Sequence, residues 1–230
     1  MHPHLVSPFG GLSILVAVFA AWTALDLFQQ VRGRQGAAKL AWLATAATAM
    51  GGGVWSMHFI AMLGFNPGAP VHYDLGLTAA SFLLAVAGSS LAFLMASRGR
   101  GVGRIVLAGI IMGASICAMH YLGMAAMRTT AALAYAPALV ALSAAIALIA
   151  SIAALFAAEW ARSPLWRLAA AVVLGLAVVG MHYSAMAALT LTPLQSAAAL
   201  HPAGAPPLML AIGVAAVTIV ILFLALAASM

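Results

Sequence analysis

The sequence predicts an all-α membrane protein of seven transmembrane helices: three parallel two-helix repeats about a pseudo-threefold axis, plus one extra N-terminal helix. Three observations predict it. The 230-residue chain is 66% hydrophobic and only 5% charged, whereas soluble globular domains carry about 25% charged residues. Seven apolar runs reach the roughly 20 residues that cross a bilayer. Finally, Met57-His58-Phe59, Met119-His120-Tyr121 and Met181-His182-Tyr183 set three histidines 62 residues apart (120 − 58 and 182 − 120), the signature of an internal repeat.

The first span, about 8–31, lacks the basic n-region of a cleavable signal and is long enough to cross, so it is expected to be retained. Spans two (39–64) and three (74–97) are separated by Asn66-Pro67-Gly68 and Pro70. The segment Arg98 to Gly103 precedes spans four (104–128) and five (135–158). Ser163-Pro164 introduces span six (166–190), and a long loop, about 191–205, with Pro193, His201 and Pro202, introduces span seven (206–229). These spans use nearly the whole chain, so residues 1–230 are expected to form one domain with no separate soluble part. Pairing spans two–three, four–five and six–seven gives every repeat two crossings and hence one orientation. Span one then stands outside the repeat. Small residues such as Gly51-Gly52-Gly53 and Gly88-Ser89-Ser90 let helix backbones approach closely.

The net charge of +6 does not point to nucleic acid. Arg32, Arg34, Lys39, Arg98, Arg100, Arg104, Arg162 and Arg167 all fall in loops on one side, and only Arg128 lies on the other. This is the positive-inside asymmetry, which puts the N-terminus outside and the C-terminus in the cytoplasm. The lone cysteine, Cys117, excludes an intrachain disulfide.

A histidine inside an apolar helix is costly and needs a partner, and three at one period suggest a shared one. Measured from the nearest cytoplasmic-side cation, His58, His120 and His182 lie about 22–29 Å along their helices at ~1.5 Å per residue. All three therefore sit in the outer half of the membrane and can converge on one site. Met62, Met124 and Met186 each follow their histidine by four residues, on the same helix face. Met57, Met119 and Met181 project to the side and either line the site or pack. Tyr121, Tyr183 and Cys117 are secondary candidates beside it, with anchoring and packing as their plainer roles. His2, His4, His72 and His201 read as incidental, and Asp26 is expected to cap a helix or pair with a basic loop residue. Glu159 reads as interfacial.

Imidazole suits copper, zinc, iron and nickel, whereas thioether sulfur favours Cu(I). The donor set therefore favours copper, with zinc as the alternative. Asp26, Asp74 and Glu159 are the only carboxylates, which disfavours the oxygen-loving cations and removes the obvious base for zinc hydrolysis. A metal-dependent oxidase or hydrolase on the same site remains an alternative. So does copper transport, although the inner half offers only Met50, Met95 and Met112 to line a path.

These residues carry a resemblance. The segments Ala-Trp-Thr-Ala-Leu-Asp-Leu at 21–27, Trp-Ser-Met-His-Phe-Ile-Ala-Met-Leu at 55–63, Met-His-Tyr-Leu-Gly-Met-Ala-Ala-Met at 119–127 and Met-His-Tyr-Ser-Ala-Met-Ala-Ala at 181–188 closely resemble the MHYT integral membrane sensory domain of bacteria. The likeness covers essentially the whole chain. Leu122 and Ser184 stand at the motif's threonine and Phe59 at its tyrosine, so neither hydroxyl is required throughout. The resemblance implies a sensor in the bacterial inner membrane that binds copper and detects O₂, CO or NO, or a redox or copper state. It also implies a cytoplasmic cyclic di-GMP module or partner protein. The chain stops after span seven, so a stand-alone member and the membrane part of a longer protein are both expected forms.

Overall fold

The computed structural model describes residues 8–31, 33–99, 101–160, 163–193 and 204–229, without the side chains of 193 and 225–229. His2, His4, His201 and Pro202, and the cations Arg32, Arg100 and Arg162, lie outside the described residues. Among the described residues seven helices form: α1 (Pro8–Gln29), α2 (Gly36–Leu63), α3 (Leu75–Ala96), α4 (Val102–Ala126), α5 (Pro137–Trp160), α6 (Pro164–Ala188) and α7 (Pro207–Ser229). Four begin on proline, whose fixed φ and missing N–H suit the first helical turn. Asp74 caps α3 by accepting from the Leu77 amide at 3.0 Å, and Ser163 caps α6.

Among the described residues six helices are long and apolar enough to cross a membrane, consistent with a helical membrane domain. The exception, α2, has the length, 28 residues. Its hydropathy is diluted by Gly51-Gly52-Gly53, Trp55, Ser56 and His58, all buried among neighbouring helices. A helix shielded from lipid can carry such residues.

Spans four and six end two residues earlier than the sequence reading placed them, because the chain turns into strands. The all-α expectation thus needs an addition. Strands β1 (Val71–Tyr73) and β2 (Met127–Thr129) pair antiparallel, as do β3 (Ala131–Tyr135) and β4 (Leu189–Pro193). Tyr73 and Ala205 exchange two backbone hydrogen bonds of 2.9 and 2.8 Å. Gly204 makes this possible: its φ is +141°, and a Cβ there would stand 2.7 Å from the Tyr73 carbonyl oxygen. The connections that follow α2, α4 and α6 are thereby stitched together at one end of the bundle. Asp74 and Arg128 add an ion pair of 2.8 Å there.

The helix pairing differs from the expected one. A Cβ on Gly51 of α2 would stand 2.6 Å from the Ala85 backbone of α3, and one on Gly113 of α4 2.7 Å from the Ala147 carbonyl of α5. Gly175, the same position in the third unit, instead lies against α1, 2.7 Å from the Val18 Cα. Asp26 of α1 likewise meets Arg167 of α6 at 3.5 Å. Helix α1 packs on both α2 and α6, whereas α7 packs mainly on α2. So α1 takes the place that the sequence reading gave to span seven. The match extends along the helix: Ser13, Ser81 and Ser143 are all fully buried. Each donates its hydroxyl to the carbonyl three residues earlier. Ala24, Ala92 and Ala154 are also fully buried. The offset from α1 to α3 is 68 residues (81 − 13), not 62, which hides it from a search at the repeat period.

Candidate metal centre

Helices α2, α4 and α6 deliver the three histidines. His58 lies five residues before the end of α2, and His120 and His182 each lie six before the ends of α4 and α6. All three are buried. Their Nδ1 atoms form a nearly equilateral triangle: 3.1 Å from His120 to His58, 3.2 Å from His58 to His182 and 3.2 Å from His182 to His120. The rings stand edge-on, with interplanar angles of 78–85°. Among the described residues they are the one group of histidine, cysteine or carboxylate side chains close enough to share an ion.

The triangle fits a metal. Its edges compare with the ~3.3 Å between ligand atoms of a tetrahedral centre with ~2.0 Å metal–nitrogen bonds. A neutral imidazole carries one N–H and one lone pair, so three converging Nδ1 atoms cannot satisfy one another. The Nε2 atoms of His58 and His120 are buried without a hydrogen-bond partner. Such polar groups are costly to bury unpaired. A cation shared by three lone pairs removes that mismatch at Nδ1.

The methionines are placed as follows. Met57, Met119, Met181 and Met124 are fully buried, Met62 is nearly so, and Met186 is half-buried against the core. Cys117 is half-buried and free. The Tyr121 hydroxyl is turned away from the triad, sharing a hydrogen bond of 2.9 Å with Ser143 of α5. Trp55 of α2 reaches the matching serine of α3, Ser81, at 3.1 Å. His72 sits in β1 opposite Arg128, apart from the triad. Glu159, expected at the interface, is buried near the end of α5.

Two aromatic ladders escaped the sequence reading. His58 stacks edge-on with Phe59 and Phe59 with Tyr73, at centroid distances of 4.6 and 5.8 Å. His120, Tyr121 and Tyr135 repeat the arrangement at 4.9 and 5.7 Å. Tyr73 and Tyr135 are 62 residues apart, so the period that found the histidines also marks them. The ladders tie the triad to β1 and β3. Burial pushes the Tyr73 phenol up to about 12, and burial followed by the neighbouring Tyr121 raises Tyr135, so both stay neutral donors.

The chain matches twice, over residues 51–109 and 113–171, the MHYT family described as a bacterial signalling protein N terminal repeat. It is 43% identical over 182 residues, 76% of its length, to the bifunctional diguanylate cyclase/cyclic di-GMP phosphodiesterase MucR of Pseudomonas aeruginosa. It is 40% identical over 202 residues, 85% of its length, to the cyclic di-GMP phosphodiesterase NbdA of the same organism. A third relative, the signaling protein YkoW of Bacillus subtilis, is 32% identical over 187 residues, 78% of this chain and 23% of its own length. The chain spans 27% of MucR and 25% of NbdA. No solved structure matches it.

Proposed function

We propose, from the premise that this chain belongs to the MHYT family, that it is a membrane-embedded sensor whose His58–His120–His182 triad holds a copper ion. The ion's contribution is reversible coordination of a diatomic gas (O₂, CO or NO) or a change of redox state. The observation that carries the reading is the convergence of three buried Nδ1 atoms at 3.1–3.2 Å. Three imidazoles leave a tetrahedral ion one open position. Met62, Met124 and Met186 are the candidate thioether donors, and such sulfur favours Cu(I) over zinc.

In this reading all seven helices cross the bacterial inner membrane as one domain over residues 1–230. Arg34, Lys39, Arg98, Arg104 and Arg167 lie at the end opposite the triad. By the positive-inside rule that end is cytoplasmic and the triad lies beneath the periplasmic surface. Three helix pairs, α2–α3, α4–α5 and α6–α1, surround a pseudo-threefold axis through the triad. The relatives' names join this domain to cyclic di-GMP synthesis and breakdown, so the output is a cyclic di-GMP module or partner on the cytoplasmic side. Helix α2 carries His58 and, two turns below, offers Gly52 to Val217 and Ile221 of α7. Movement at the triad therefore reaches the last helix directly.

The test is purification, metal analysis, and absorption and spin-resonance spectra with and without NO, CO and O₂. One copper per chain is expected, with a spectrum that responds to a gas. The triple variant His58→Ala/His120→Ala/His182→Ala should lose the metal. Unchanged copper content in that variant would overturn the reading.

A further inference from the structure

We infer that Gly123 is a positioning residue for the triad: its missing side chain is the space that the His58 ring occupies. This rests on the metal-site reading above, but it makes a separate claim about α4. The position three residues after each histidine is Ala61 in α2, Gly123 in α4 and Ala185 in α6. The repeat therefore tolerates a methyl group twice and lacks it once. The structure supplies the reason. A Cβ at Gly123 would stand 2.6 Å from His58 Nε2 and 2.9 Å from its Cδ2, with Phe59 Cζ at 3.4 Å. Ordinary contact between such atoms is about 3.5–4.0 Å, so the ring would have to retreat by roughly 1 Å. Consistent with this close seat, the His58–His120 ring centroids are 4.9 Å apart, against 5.1 Å for each of the other two pairs.

The identity of the obstructing atom separates Gly123 from the packing glycines. At Gly51, Gly113 and Gly175 an added Cβ meets backbone atoms of the neighbouring helix, and a whole helix would have to move. At Gly123 it meets the far end of a side chain, which can rotate about its own χ angles. At Gly51, Gly52, Gly53, Gly109, Gly113 and Gly175 the nearest atoms to an added Cβ include no triad ring, whereas at Gly123 the two nearest are those of His58. The fold can absorb a methyl group there, and the triangle cannot. Metal bonds tolerate about ±0.2 Å, well under the roughly 1 Å that the contact distances demand.

The test compares Gly123→Ala with Gly113→Ala in the purified full chain, using copper binding and thermal unfolding together. Gly123→Ala should keep the melting temperature within a few degrees and lose about 10- to 100-fold in copper affinity, the range seen when ligand-supporting contacts are removed. Its copper spectrum should also change. Gly113→Ala should show the reverse, with a lowered melting temperature and an unaltered spectrum in the folded fraction. A metal-free readout keeps the inference separate from the reading beneath it: nitrogen resonances of labelled imidazoles should shift at His58 in Gly123→Ala. If the wild-type protein binds no copper, the metal-site reading fails and the imidazole shift still decides the inference. Unchanged affinity with unshifted His58 resonances would overturn it. Loss of the folded form in Gly123→Ala would overturn it as well, because a clash with a rotatable ring does not unfold a bundle.

Discussion

Helices α1 and α7 are the first and last described, and both are apolar enough to cross a membrane, yet they stand in different relations to the rest of the bundle. In α1, ten residues are buried, including Ser13, Ala17, Ala20 and Ala24, and small side chains face α2 and α6. Its Ala20 meets Gly53 and its Val18 meets Gly175 at backbone distance. In α7, Leu208, Ile212, Ile219 and Phe223 are exposed, and its contact with Gly52 runs through the tips of Val217 and Ile221. A groove of about 310 Å³ between α1, α2 and α7 is lined by Leu12, Val16, Ile60, Val214 and Thr218 at the triad end. In lipid, helices gain little from apolarity alone, and small residues that allow close approach drive their association. Hydropathy therefore says which segments can enter the membrane, and small-residue contacts say which of them close the bundle.

The sharpest way to break this comparison is Gly175→Ala, which drives a methyl group into the Val18 backbone. Over-packing of a tight seam costs about 1–3 kcal/mol, so the melting temperature in detergent should fall markedly. Next comes Ser143→Ala, which leaves the Tyr121 hydroxyl without the partner it now has at 2.9 Å. A fully buried unpaired hydroxyl costs about 1–3 kcal/mol; Tyr121 is half-buried, so a loss toward the lower end is expected in the same melt, and it should vanish in the double variant with Tyr121→Phe. Gly52→Ala should cost less than ~1 kcal/mol, because Val217 can rotate away from a contact of 3.1 Å. Equal losses for Gly52→Ala and Gly175→Ala would erase the distinction between the two helices.

The smallest effect concerns the stitched end. The hydrogen bond from Arg128, then that from the Leu77 amide, holds the Asp74 carboxyl below its ordinary value. A depressed carboxyl contributes stability above its unfolded pKa and loses it as pH falls through the folded one. The wild-type melt should therefore weaken slightly on acidification below the ordinary carboxylate range. Asp74→Asn, which keeps a capping oxygen and removes the charge, should flatten that dependence.

Much of the candidate site was legible in the chain. The 62-residue spacing of His58, His120 and His182 placed three rings at one depth, and the structure joins them. The same spacing held Tyr73 and Tyr135, but a tyrosine in a short connection between apolar spans looks like a surface anchor until a strand carries it onto Phe59 or Tyr121. The strands were invisible because segments of three to five residues have no periodicity to read. Gly123 looked like one more small residue in an alanine-rich helix. Its role appears only when His58 of another helix lies across it.

Composition and charge placement suffice to assign this chain to the membrane, because a segment of ~20 apolar residues has few other stable homes. Repetition suffices to single out the histidines, since each costs too much in an apolar helix to be there without a partner. Which terminal helix stands beside α6 is not contained in either property. That choice depends on Val18 meeting Gly175 and Asp26 meeting Arg167, contacts between residues 157 and 141 positions apart (175 − 18 and 167 − 26). Both helices are apolar enough to cross a membrane, so hydropathy does not choose between them, and steric fit at van der Waals range does.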